Sequence, residues 1–308
     1  MPSPKTQTKP QIKCLFMGLD NGGKTSILYT LKNKFPHIIK LKPTKRIERT
    51  DFYVLGLPVK IWDMGGQKKY RKEYLARNQY FDGAKIAIYV IDVTDPSKFS
   101  ETIEYFEKIL DIFELLNTDP RILIFLHKSD PDVKENSQLQ KSKRLLKNEI
   151  SNLPHALDVV IHETSILDAD HLNNLIVQEF LALLPSGRKI QDELSEFMLN
   201  INASAATLID EHILTIANAY RDEDSRQILQ ICGPHFASLV EKLRAGSYAI
   251  PEKIEIEMGG NVFYQFVEYD NTGFYLIIYT KTSESTTLIN YELPKFTENL
   301  FTHMEYII

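Results

Sequence analysis

The sequence predicts an α/β fold in two parts: a P-loop-type domain on a mostly parallel six-stranded sheet with crossover helices, then an α+β part on a five-stranded antiparallel sheet. Three observations lead there. From Gln11 to about residue 184, short apolar runs alternate with segments whose apolar residues recur every three or four positions. After Gly187 the order becomes helix, two strands, helix, three strands, helix, with turns at Gly259-Gly260 and Asp270-Asn271-Thr272-Gly273. Charge changes at the same place: residues 1–186 carry 27 Lys and Arg against 23 Asp and Glu, and residues 187–308 carry 9 against 18. The expected division is a disordered tail over 1–10, a first domain over 11–186 closed by Pro185-Ser186-Gly187, and a second over 187–308.

In the first domain strands are expected at 11–17, 50–55, 58–63, 85–92, 121–127 and 158–163. Helices are expected from Lys24 to Asn33, after Asp95-Pro96, over 138–151 and over 170–184. In the second domain Ile190, Leu194, Phe197 and Ile201 mark a helix, and Ala205 to Ala219 reads as a hairpin. Ile228, Cys232, Phe236, Leu239 and Leu243 form the apolar stripe of the next helix, which Gly233-Pro234 is expected to kink and Gly246 to stop. Strands at 253–258, 261–269 and 273–280 follow. Pro294 is expected in the first turn of a closing helix that turns Phe296, Leu300 and Met304 to one face.

Composition narrows the function. A net charge of −5 argues against a dedicated nucleic-acid binder, although residues 1–50 alone hold 11 basic and 2 acidic side chains, a basic face suited to an anionic ligand. Two cysteines far apart, Cys14 and Cys232, give no disulfide framework and fit a reducing, cytoplasmic setting. No window approaches the ~18 to 20 apolar residues of a membrane span. The polar N-terminus is no signal peptide, and Pro2 excludes myristoylation of a second-position glycine.

Five segments carry chemistry. Gly18-Leu19-Asp20-Asn21-Gly22-Gly23-Lys24-Thr25, followed by Ser26, matches the phosphate-binding loop G-x-x-x-x-G-K-[ST] after an apolar strand and at the start of a helix. Its backbone N–H groups would cradle phosphate, Lys24 would reach the β- and γ-phosphates, and the Thr25 hydroxyl would ligate Mg²⁺. Asp63, ending a strand in Trp62-Asp63-Met64-Gly65-Gly66-Gln67, would act on Mg²⁺ through its water shell; Gly66 would donate its N–H to a γ-phosphate and Gln67 would orient the attacking water. In His127-Lys128-Ser129-Asp130 the carboxylate can accept from guanine N1–H and its 2-amino group, a donor pair adenine lacks, while the Lys128 stem covers the base. Ser165 and Ile166, in Glu163-Thr164-Ser165-Ile166, would present N–H groups to guanine O6. Thr44, after Pro43, would bring a loop hydroxyl to Mg²⁺, with Thr50 as the nearby alternative. GTP or GDP with Mg²⁺ is the expected cofactor set.

In this order the motifs resemble the Ras-like small GTPases. G-L-D-N-G-G-K-T-S-I-L-Y and W-D-M-G-G-Q are similar to the Arf-like branch; His127 in place of the usual Asn, with Thr164-Ser165-Ile166, is similar to the Rag/Gtr GTPases. Those carry a C-terminal roadblock domain with the element order read above. The resemblance implies a GTP/GDP switch that dimerises through residues 187–308, as homo- or heterodimer, and that meets activating and exchange proteins. The chain departs from the Arf-like pattern in lacking its N-terminal lipid site, so Arf-style anchoring is not carried over and any membrane recruitment is expected through partners. Leu41 stands three positions before Thr44, where heterotrimeric α subunits supply an arginine, so intrinsic hydrolysis is expected at about 10⁻⁴ to 10⁻² s⁻¹. Two other readings stay open: a nucleotide-stabilised scaffold that does not usefully hydrolyse, and an ATP-dependent kinase or ATPase, which must disregard Asp130.

Overall fold

The computed structural model describes residues 12–31, 43–54, 57–155, 157–184, 187–210, 214–269, 272–281 and 285–305. The chain divides into two compact units, Met1–Tyr53 with Leu57–Asn173 and Val54–Gly56 with Asn174–Ile308, so the helix Ala169–Ala182 that closes the first sheet's series is shared between them. Leu41, the N-terminal tail and the Pro185-Ser186 stop lie outside the described residues.

The first unit is built on strands β1 (Ile12–Met17), β2 (Ile47–Val54), β3 (Leu57–Met64), β4 (Ala84–Asp92), β5 (Arg121–His127) and β6 (Val159–Thr164). Their order in the sheet is β2-β3-β1-β4-β5-β6, with β3, β1, β4, β5 and β6 successively parallel. The central strands are apolar almost throughout because helices cover them: Cys14 to Met17, Ile86 to Ile91 and Ile122 to Leu126 are all buried. Helix α1 (Lys24–Leu31) follows β1. A short helix, α2 (Lys68–Leu75), follows β3 and was not expected, since Lys68-Lys69-Tyr70-Arg71-Lys72-Glu73 shows no apolar stripe; it buries only Arg71 and Tyr74. Helix α3 (Phe99–Leu115) lays Tyr105, Phe106, Ile109, Leu110 and Phe113 on the sheet. Truncating fully buried Phe113 to Ala is expected to cost about 3–5 kcal/mol. Helices α4 (Pro131–Glu135), α5 (Ser137–Ser151) and α6 (Ala169–Ala182) complete the series. The side chain of Asn136 starts α5 by accepting from the N–H groups of Gln138 and Leu139. Because β1 lies between β3 and β4, connections leave it in both directions and open a crevice at the carboxyl ends of the strands.

The second unit follows the expected order: α7 (Gly187–Asn200), β7 (Ala205–Asp210), β8 (Thr215–Tyr220), α8 (Glu223–Ala245), β9 (Lys253–Glu257), β10 (Asn261–Tyr269), β11 (Thr272–Thr280) and α9 (Ser285–Glu305). Its sheet is antiparallel, in the order β8-β7-β11-β10-β9. Two expectations need correction. Pro294 lies inside α9 and not in its first turn; it and Asn290 are on the exposed side, so the carbonyl left without its helical donor faces water. Gly233-Pro234 lies inside α8, which runs on past it to the expected stop, its C-cap Gly246. The inward stripe of α8 is Leu229, Gly233, Phe236, Ala237 and Val240, and Leu239 is exposed. Gly233 faces Ile277 and Ile209, which sets the middle of the buried stripe at 229, 233, 236, 237 and 240 and leaves Leu239 outside it.

The two sheet edges differ. On β8 the amide of Gln191 covers the backbone of Asn218 twice, donating to its carbonyl at 2.7 Å and accepting from its N–H at 3.2 Å. β9 carries no such cover among the described residues, and Ile256 and Met258 beside it are exposed, as is Ile231 on α8. Among the described residues no helix is long and apolar enough to cross a membrane.

Candidate functional site

The loop from Gly18 to Gly23 leaves the carboxyl end of β1 and turns into α1, whose first backbone bond runs from Ile27 N–H to Gly23 O at 2.9 Å. The N-terminal N–H groups of α1 thus point into the crevice, the arrangement that binds anions. Asn21 sits in the left-handed region at φ 60°. Lys24 is buried, its ammonium donating to Leu19 O at 2.7 Å and to Gly18 O at 3.2 Å. Burial pulls its pKa down to about 8, against the opposing pull of Asp63 and Asp20. The cleft above it is lined by residues 20–26, Pro43, Thr44, Gly66, Gln67 and Lys128.

The parallel pairing of β1 with β3 sets Phe16 beside Asp63 and delivers the carboxylate to the loop. Asp63 Oδ2 accepts from Thr25 Oγ1 at 2.6 Å and from Thr44 Oγ1 at 3.1 Å, and the two hydroxyls are 2.8 Å apart. Of the two candidate threonines Thr44 is the one brought to Thr25 and Asp63, while Thr50 lies in β2. Asp63 Oδ1 is buried with no hydrogen-bond partner. Gly66 is pressed on the phosphate loop so closely that a Cβ there would lie 2.2 Å from the Leu19 carbonyl carbon. Gln67 follows as the N-cap of α2, in extended backbone.

The third part of the site lies at the ends of β5 and β6. His127 Nδ1 is 3.0 Å from Thr164 Oγ1, and the ring edge fills the space that a side chain on Gly23 would need, with Cδ2 2.4 Å from its would-be Cβ. At φ +94° Gly23 is in any case a glycine position. Desolvation first, then the neighbouring Lys128 charge, lower the His127 pKa to about 4, so the ring is neutral near pH 7. Lys128 is held by Asp92 at 2.6 Å. Ser129 is buried, its hydroxyl donating to Leu126 O at 2.9 Å. Asp130 accepts from the Ser165 hydroxyl, which also accepts from Leu167 N–H at 3.0 Å; Ile166 lies in the turn between them. The phosphate loop, Thr44, Asp63, Gly66, Gln67, His127, Lys128, Asp130 and Ser165 are thus all at the carboxyl ends of the first sheet.

Sequence reasoning missed three supporting residues. Asp92, which pins Lys128, ends β4 in Ile91-Asp92-Val93-Thr94, a strand-end carboxylate that could have been singled out. Thr164 was noted only as part of its motif, and its hydroxyl partners His127. Arg71, whose Nε donates to Gly66 O at 2.8 Å, gives no signal within a run of basic residues.

Residues 13–236 match the Gtr1/RagA G protein conserved region. The chain is similar to ADP-ribosylation factor J of Dictyostelium discoideum, 32% identical over 122 residues, covering 40% of this chain and 61% of that one. It is also similar to ADP-ribosylation factor-like protein 3 of Chlamydomonas reinhardtii, 37% identical over 120 residues, covering 39% and 64%. It thus spans about three fifths of the length of these relatives. A solved structure of the Arl6 BBS3 small GTPase from Trypanosoma brucei, with bound nucleotide analogue GppNp, is similar at 21% identity and a TM-score of 0.45, covering 56% of this chain and 97% of that one. Since the family region takes in every loop of the site and more than half of the sequence, the chain belongs to the Gtr1/RagA family of G proteins.

Proposed function

We propose that this chain is a guanine-nucleotide switch that hydrolyses GTP slowly and dimerises through residues 187–308. The observation that carries the reading is the meeting of Thr44 and Gly66 at the phosphate loop, Thr44 on Thr25 and Asp63, Gly66 on Leu19-Asp20. Two segments from either side of β2 and β3 are thus placed where a γ-phosphate would engage both, and loss of that phosphate would release both.

The donor set suits Mg²⁺. The two hydroxyls of Thr25 and Thr44 lie 2.8 Å apart, close to the edge of about 3.0 Å that an octahedron with bonds of about 2.1 Å would have, and Asp63 Oδ2 accepts from both. The buried, unpartnered Asp63 Oδ1 adds acceptor capacity. Thr25 and Thr44 would hold the ion directly and Asp63 through its water shell. An ion held there would supply positive charge against the developing charge of the phosphates.

The rest is the work of this chain. Lys24 exchanges its carbonyl contacts for phosphate oxygens, and the loop N–H groups hold the remainder. Asp130, steadied by Ser165, accepts from the two donors of guanine, and the Lys128 stem covers the base. Gln67 orients a water in line with the γ-phosphorus; as the new P–O bond forms, the bond to the bridging oxygen breaks and GDP and phosphate result. Positioning and charge stabilisation supply the rate. Support for dimerisation lies in the second unit, where β8 is covered by Gln191 while β9 and α8 expose Ile256, Met258 and Ile231.

Single-turnover chromatography of nucleotide after loading with GTP and Mg²⁺ tests the reading. Parent protein is expected to convert GTP to GDP measurably faster than Gln67→Leu. GTP persisting for many hours even with activating proteins would favour the non-hydrolysing scaffold. ATP displacing labelled GTP at equal concentration would overturn the guanine assignment.

A further inference from the structure

Arg71 is a cation almost withdrawn from water, 8% exposed, on a helix whose three lysines, Lys68, Lys69 and Lys72, all stay in solvent. Its guanidinium has three partners. Nε donates to Gly66 O at 2.8 Å, Nη2 donates to the Glu101 carboxylate in the first turn of α3, and the group lies 5.0 Å from the Tyr105 ring centroid. A buried charge is costly unless paired and hydrogen-bonded, so these partners are what keep the side chain turned inward.

The oxygen that Arg71 holds belongs to the peptide joining Gly66 to Gln67. A donor on that oxygen fixes the peptide plane, and with it the direction in which Gln67 leaves the backbone. The same peptide is confined from the opposite side, since Gly66 lies against Leu19-Asp20. Resting on the assignment of Gln67 to water orientation, we infer that Arg71 is a positioning residue for hydrolysis: by bridging the Gly66 carbonyl to Glu101 it locks the Gly66–Gln67 peptide in its hydrolytic position and makes α3 part of the switch. Arg suits this because its rigid fork reaches two oxygens at once, which a lysine ammonium on a flexible stem does not. None of these partners touches the place of the base, and GDP has no γ-phosphate to engage Gly66, so GDP binding does not depend on the lock.

The test uses the full chain loaded with GTP and Mg²⁺, and two variants. Arg71→Lys keeps the charge and loses the fork; Glu101→Gln keeps the shape and loses the charge. Both are expected to slow single-turnover hydrolysis by about tenfold or more, the scale of a small misplacement of a reacting group. Affinity for a fluorescent GDP is expected to stay within about threefold of the parent. With a non-hydrolysable GTP analogue bound, hydrogen exchange over residues 66–75 is expected to quicken in both variants. Hydrolysis within twofold of the parent overturns the lock, and so does a loss of nucleotide affinity that matches the loss of rate. Gln67→Leu separates this from the reading beneath it. If the parent is no faster than Gln67→Leu, the role of Gln67 falls, and exchange over 66–75 decides on Arg71 alone, unchanged protection refuting the lock.

Discussion

Thr25 Oγ1 and Asp63 Oδ2 stand 2.6 Å apart across 38 residues of sequence, joined because β1 and β3 run side by side and end together. The pair makes nucleotide retention depend on the divalent cation. EDTA is expected to speed release of a fluorescent GDP from the parent by about tenfold or more, and Asp63→Ala to release it that fast even in Mg²⁺. Stopped-flow fluorescence checks this; an undiminished Mg²⁺ response in the variant would remove Asp63 from the site.

Gly66 leaves no room for a side chain against Leu19-Asp20. Gly66→Ala is expected to weaken GTP binding by about tenfold, the equivalent of about 1.4 kcal/mol of steric conflict, while GDP, which has no γ-phosphate to draw Gly66 in, binds as before. Calorimetry with both nucleotides decides, and an equal loss for both would contradict the role given to Gly66.

His127 gives the fold an acid-sensitive contribution. Its pKa is about 4 in the folded chain against 6.5 for the free side chain, so between those values the unfolded chain binds more protons and stability falls as pH falls. Between pH 7 and pH 5 the loss is expected to be on the order of 2 kcal/mol. Urea unfolding of parent and His127→Asn at both pH values isolates it. The parent should lose more stability than the variant, and equal losses would refute the assignment.

In the second unit, Ile231→Glu together with Ile256→Lys is expected to convert a dimer to a monomer in light scattering, because both residues lie on the exposed side that carries β9 and α8. GTP affinity should not change. A mass unaltered by the pair of substitutions would move the contact elsewhere.

The sequence was most legible where one periodicity or one motif fixes the backbone. The apolar runs at β1, β4 and β5 and the glycine loop are of that kind, and the element order of the second unit followed from turns and stripes. It was least legible where a residue acts through a contact distant in sequence. Arg71 looks like any basic residue of a charged helix until α3 brings Glu101 to it, 30 residues on. Lys128 and Asp92, 36 residues apart, are neighbours only because β4 and β5 pair in register. Pro294 misled for a local reason: a proline is tolerated inside a helix where the bereft carbonyl can turn to water, a condition that composition does not display.

The amide of Gln191 on Asn218 has a bearing on stoichiometry. A sheet with two open edges can add chains without limit, each newcomer offering a fresh edge to the next. With β8 covered at Asn218 by its own glutamine, β9 is the edge left uncovered among the described residues, and two copies joined there by a twofold axis would leave no open strand behind. On the proposed dimer, one side chain would set the count at two, and unstoppering it, as in Gln191→Ala, is expected to turn a closed pair toward a polymer.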